Sequence, residues 1–202
     1  MRADGRGFIV GGLTLIACAL LLTGYNILTG AKAGREAAAA AQELTGALSA
    51  AMAENSPAPD IAGHEYAERL EMPVKTVDGV DYVGVLNIPA LELNLPIVSR
   101  WSYDALKHAP CRYSGTAYAG NLVICAHNYQ AHFGRIKGLE IGEELCLTDA
   151  EGNEFRYAVA AVETLPPGAV EEMTAGEWPL TLFTCTVGGQ YRVAVRCDGI
   201  EG

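Results

Sequence analysis

No charged residue occurs between Arg6 and Lys32, and within that gap Phe8 to Leu28 (FIVGGLTLIACALLLTGYNIL) is almost entirely apolar. As an α-helix this stretch is about 30 Å long, the thickness of a bilayer's hydrocarbon core. A helix apolar on every side has no solvent-facing stripe, so the chain must divide itself between membrane and water. Tyr25 and Asn26 stand near the far end, where a polar tip can reach the interface. The alternative is a leader removed at the small-residue site Ala31-Lys32-Ala33. The apolar run is longer than the core of such a leader, which favours an uncleaved anchor. Either way, the rest of the chain is exported. Lys and Arg flank both ends equally, so charge alone does not orient the segment. The short N-terminal flank and the large C-terminal body predict the N-terminus inside and the body outside.

The charge balance agrees with two compartments. Arg2, Arg6, Lys32 and Arg35 outweigh Asp4 in the first 35 residues, whereas the whole chain of 202 residues carries a net −10. An acidic body excludes nucleic acid as a partner, because phosphate binding needs a basic face. A hydrophobic share of 50% excludes a disordered chain. We divide the sequence into an anchor (1–30), an Ala-rich stalk and linker (31–75) and a body (76–202). The stalk is built of strong helix formers but has few apolar residues other than Ala, so it predicts a helix contributing little core. It should end near Ser56-Pro57-Ala58-Pro59. Asp60 is placed to cap a second short helix running to Glu71, stopped by Met72-Pro73.

From Val77 onward, short apolar runs are broken by Gly, Pro, Asn and Asp. Tyr82–Ile88, Leu91–Val98, Asn121–Ala126, Glu143–Thr148, Glu154–Thr164, Leu180–Cys185 and Gln190–Cys197 read as strands. Residues 149–153 read as a hairpin loop. Trp101–His108, Phe133–Leu139 and Ala169–Met173 read as short helices or turns. Seven or eight strands with few helices predict a mainly-β fold, a closed or nearly closed barrel.

Five cysteines lie in the body: Cys111, Cys125, Cys146, Cys185 and Cys197. An odd number leaves at least one thiol unpaired whatever disulfides form. Cys185 ends the strand Thr181-Leu182-Phe183-Thr184-Cys185, and a nucleophile at a strand end sits at a barrel rim within reach of substrate. His127 likewise ends the strand running from Asn121. Arg192 lies just past Gly188-Gly189, on the strand that pairs with the one bearing Cys185. Those three types suit acyl transfer. A thiolate attacks a carbonyl carbon, an imidazole takes and returns the proton, and a guanidinium steadies the oxyanion. Arg196 shares a strand face with Arg192 and is the alternative cation. His132 is the alternative imidazole. Cys125, His127 and His132 together offer metal donors, but a fourth ligand and a Cys-x-x-Cys pair are missing.

These residues resemble the sortase family. Thr181-Leu182-Phe183-Thr184-Cys185 resembles its TLxTC signature, which ends in the nucleophile. The stretch from Gly120 through His127-Asn128 to Phe133-Gly134 resembles the segment carrying the catalytic His. Gln190-Tyr191-Arg192-Val193-Ala194-Val195 resembles the strand carrying the catalytic Arg. The resemblance spans roughly Val80 to Asp198, in the family's order of His, Cys, Arg. It implies a seven- or eight-stranded sortase-like barrel and a membrane-anchored cysteine transpeptidase of Gram-positive-type bacteria. Such enzymes cleave a sorting motif, LPxTG-like, near the C-terminus of secreted proteins, form a thioacyl-enzyme, and pass the acyl group to an amine of a cell-wall precursor or pilin subunit. The chemistry needs no metal or organic cofactor. Some features resemble class B and others do not, so the subclass stays open. An exported cysteine hydrolase with the same site and a non-catalytic anchored binding module are the alternatives.

Overall fold

Segments of three to twelve residues run extended and pair laterally with their neighbours. The computed structural model describes residues 5–54, 71–175 and 177–200. Among the described residues there are nine strands: β1 (Lys75–Val77), β2 (Val80–Ile88), β3 (Leu93–Val98), β4 (Cys111–Ser114), β5 (Leu122–Cys125), β6 (Glu144–Asp149), β7 (Glu154–Leu165), β8 (Leu180–Cys185) and β9 (Arg192–Gly199). Their spatial order is β1-β2-β3-β4-β5-β8-β9-β7-β6, and β6 pairs back onto β2. The ring β2–β9 is therefore a closed eight-stranded barrel, with β1 as an edge hairpin on β2. Closure needs a close approach: a Cβ at Gly84 would lie 2.2 Å from the Thr148 carbonyl oxygen of β6.

Two neighbouring pairs are parallel, β3–β4 and β5–β8. The second requires a long crossover, and β6, β7 and the short helix α2 (Val170–Thr174) lie within it. The barrel interior is filled by Leu86, Ile97, Ile124, Leu147, Leu182 and Val195, all fully buried. A second cluster lies on the outer wall, where Tyr82, Val85, Val98, Cys111 and Cys125 are covered.

What covers that wall is helix α1, continuous from Gly5 to Glu54. The residues of its apolar N-terminal half are exposed all round, including Phe8, Leu15 and Leu21 at 72–78%. The helix is long and apolar enough to cross a bilayer, which is compatible with a single-pass anchor. The second half differs from expectation. Ala33, Ala37, Ala41 and Leu44 are at most 2% exposed and form one stripe against the barrel. Small side chains contribute little area each, but they let the helix backbone approach the sheet closely.

Two short strands also differ from expectation. β1 and β4 were not expected, being too brief for their alternation to register. Of Trp101–His108 and Phe133–Leu139, only Ala105–Lys107 and Ile136–Gly138 are helical, each a single 3₁₀ turn. The 149–153 hairpin is present, and Asp149 accepts the backbone N–H groups of Glu151 and Asn153, each at 2.9 Å. The helix expected from Asp60 lies outside the described residues.

Candidate active site

β5, β8 and β9 are adjacent, and each delivers one candidate residue at the same end of the barrel. In the parallel β5–β8 pair, Cys125 faces Phe183. Two residues further along both strands come His127 and Cys185, which are therefore level. The coupling continues past the formal strand end: Ala126 N–H donates to Phe183 O at 3.2 Å, and Thr184 Oγ1 donates to Ala126 O at 2.8 Å. In the antiparallel β8–β9 pair, Cys185 directly faces Arg192, a separation of about 4.5–5.5 Å between Cβ atoms. Alternation puts Leu180, Leu182 and Thr184 inward and Phe183 and Cys185 outward. Sulfur, imidazole and guanidinium thus share the outer face of three neighbouring strands.

The loop joining β8 to β9 makes this register possible. Gly188 and Gly189 have φ of +84° and +73°, where a Cβ would be strained. Thr186 closes the loop: its N–H donates to Tyr191 O at 3.0 Å, and its Oγ1 accepts from Tyr191 N–H at 3.1 Å. Arg192 Nη1 donates to Gly189 O and Tyr191 O. Among the described residues no carboxylate pairs with it.

Arg196 stands in a different environment. It is 4% exposed and faces Thr181, four residues from Cys185 along β8. Its guanidinium donates to Glu163 Oε2 at 3.0 Å, Thr181 Oγ1 at 3.2 Å and Glu172 O at 2.9 Å. Every direction is taken by a structural acceptor. Both arginines do share the outer face of β9, but α2 roofs only Arg196.

The two histidines separate similarly. His127 is half-buried, and desolvation, with a smaller push from the Lys107 charge, holds its pKa below the ordinary imidazole value. The ring is therefore neutral and able to accept a proton near neutral pH. His132 is fully buried, and burial pushes it down to about 4. Neither of its nitrogens makes a hydrogen bond of ordinary geometry. The main chains of Ala33 and His108 lie close enough only to soften that shift.

The other cysteines are poorly placed for nucleophilic work. Burial pushes Cys111, Cys125 and Cys197 up to about 12, which leaves almost no thiolate at neutral pH. Cys146 is also raised by burial. All are free thiols, although Cys111 and Cys125 are direct partners across β4 and β5. Cys185 is partly exposed at the rim. Among the described residues no group of three or more His, Cys, Asp or Glu is arranged to hold a metal.

Beside the site, Trp101 stacks on Tyr113 and Tyr113 meets Phe183 edge-on, at ring distances of 5.6 and 5.3 Å. Trp101 and Tyr113 also line a cavity of about 340 Å³ together with Arg100 and Arg112. Trp101 and Tyr103 are exposed, and Leu106 packs on the outer cluster.

The fold is thus a closed eight-stranded barrel with Cys185 at its rim between the strands that lead to His127 and Arg192. The sortase domain matches residues 86–199, more than half of the chain, and the chain belongs to the sortase family. Among solved structures it is similar to sortase C from Clostridium perfringens SM101, with 24% identity, 60% of this chain and 71% of that one covered, and a TM-score of 0.52. It is similar to sortase C1 from Streptococcus suis, with 23% identity, coverage of 60% and 74%, and a TM-score of 0.54. It is also similar to Streptococcus pneumoniae sortase C, with 21% identity, coverage of 80% and 90%, and a TM-score of 0.54. At such identities the likeness carries the fold. No curated protein matches the sequence.

Proposed function

We propose that this protein is a sortase-type cysteine transpeptidase with Cys185 as nucleophile, His127 as acid and base, and Arg192 as oxyanion donor. The observation that carries the reading is the register that sets Arg192 opposite Cys185 on β9 and His127 level with Cys185 on β5.

The neutral His127 imidazole takes the Cys185 proton. The thiolate adds to the scissile carbonyl carbon of a sorting motif, LPxTG-like, near the C-terminus of a secreted protein. Arg192, free of any carboxylate among the described residues, turns from the loop carbonyls to the developing oxyanion. The C–N bond breaks, His127 returns its proton to the leaving amine, and a thioester remains on Cys185. An amine of a cell-wall precursor or of a pilin subunit then adds to the thioester carbonyl and gives its proton to His127. Collapse forms the new amide and releases the thiolate. The cycle needs no metal or organic cofactor. The aromatic face of Trp101, Tyr113 and Phe183 beside Cys185 offers an apolar floor for an extended peptide. The protein works at the cell surface of a Gram-positive-type bacterium, its N-terminus inside, α1 in the membrane and the barrel outside.

The test is incubation with a sorting-motif peptide, with and without an added amine. An amide product that appears only with the amine and disappears in Cys185→Ala supports transpeptidation. Carboxylic acid alone, at every amine concentration, would make the protein a hydrolase instead.

A further inference from the structure

The stripe that docks α1 onto the barrel begins beside the loop that follows His127. A Cβ at Gly30 would meet the Tyr129 ring at 3.6 Å, an ordinary packing distance. A Cβ at Gly34 would lie 2.4 Å from the Ala131 Cβ, closer than two carbon atoms can stand. Glycine at 34 is thus what lets the helix sit this close to residues 129–131. Glu36, two residues further along the helix, adds an ion pair of 2.7 Å with His108.

The loop itself is tightly wound. Tyr129 O accepts from His132 N–H at 2.9 Å and Gly134 N–H at 2.8 Å, and His127 O accepts from Phe133 N–H at 3.2 Å. Within it, the Tyr129 ring lies 5.0 Å from the His127 ring on one side and 5.5 Å from the His132 ring on the other. The Tyr129 ring therefore lies beside α1 at Gly30, between the buried His132 and the candidate general base.

We propose that α1 is a working part of the active site, its docking at Gly30 and Gly34 holding Tyr129 against the His127 imidazole so that Tyr129 is a positioning residue for that ring. This rests on the role given to His127 above. The membrane anchor and the chemistry are then mechanically one piece, because a displacement of the helix moves the aromatic ring that backs the base. A misplacement of about 1 Å at a catalytic group can cost roughly a hundredfold in rate.

The test uses the full chain in detergent micelles. Gly34→Ala adds one methyl group and replaces glycine by a better helix former, so any loss arises at the contact. Ala131→Gly removes the opposing Cβ. Three quantities are read for wild type, each single variant and the double variant: kcat and KM for peptide transfer, thermal stability, and the His127 titration followed by NMR of labelled histidines. Gly34→Ala should lower kcat about 10- to 100-fold with KM little changed. It should also move the His127 titration up toward the ordinary imidazole value, since packing against Tyr129 helps desolvate the ring; Lys107, His132 and Cys185 are the other titratable groups facing it. The double variant should regain both properties. Tyr129→Ala should reproduce the Gly34→Ala effects without rescue by Ala131→Gly. An unchanged kcat and titration in Gly34→Ala would overturn the proposal, as would a loss of thermal stability alone or a double variant that stays impaired. A wild-type protein that never acylates Cys185 would instead remove the transpeptidase reading, and the titration would still decide whether α1 holds Tyr129 on His127.

Discussion

Arg192 and Arg196 stand four residues apart on one face of β9, and side-chain alternation does not tell them apart. Their surroundings do. Arg196 is spent on Glu163, Thr181 and the carbonyls of α2, whereas Arg192 faces Cys185. Arg192→Ala should therefore lose roughly 10²–10³ in kcat with little change in melting temperature, as removal of one oxyanion donor does. Arg196→Ala should do the reverse. It leaves buried acceptors unpaired and costs about 1–3 kcal/mol, so a melt lowered in the face of a near-normal rate is expected. A dead Arg196→Ala beside an active Arg192→Ala would reverse the assignment. The pH profile belongs to this scale too. With its pKa held down by desolvation, His127 should set an acid limb of kcat/KM below the ordinary imidazole value. Cys185 and His127 were legible as candidates because each ends an apolar strand with chemistry at its tip. Arg192 is preferred to Arg196 in the sequence because it lies nearer the Gly188-Gly189 turn, but the engagement of Arg196 by Glu163 and α2 is not legible in spacing along β9.

At the scale of elements, the lesson lies in the stalk. Alanines at 33, 37 and 41 read as bare helix formers, yet with Leu44 they bury a stripe against the outer wall of the barrel. Alanine marks both a solvated helix and a close-packed one, and the partner surface decides between them. β1 and β4 escaped notice for a related reason: Lys75–Val77 and Cys111–Ser114 are too short to show a period and exist through pairing with β2, β3 and β5. The longer strands were placed to within a few residues. The junction of α1 with the His127 loop also carries a pH dependence. His132 is held down to about 4 by burial, below its value in an unfolded chain. The unfolded state thus binds the extra proton between those two values, so stability is present above the imidazole range and is lost as pH falls toward 4. The loss approaches roughly 3 kcal/mol. Thermal melts of the wild type should drop across that window, and those of His132→Phe should drop less. Parallel curves for the two proteins would refute this.

For the whole molecule, one helix joins an apolar segment long enough to cross a bilayer to a barrel that carries all the candidate chemistry. Wild-type protein should stay with membranes through an alkaline wash. Leu15→Arg, placing a charge mid-span at a cost of about 2.5–3.5 kcal/mol, should release a larger fraction. A membrane-impermeant thiol reagent applied to intact cells should reach Cys185 if the barrel lies outside, and labelling only after lysis would invert the topology. The most direct measurement of the central claim is mass spectrometry of the full chain mixed with a sorting-motif peptide and trapped before the amine is added. The account predicts a thioester adduct on the peptide carrying Cys185, formed in wild type and Arg196→Ala and strongly reduced in His127→Ala and Arg192→Ala. An adduct on another cysteine, or one on Cys185 that is indifferent to both His127 and Arg192, would contradict it.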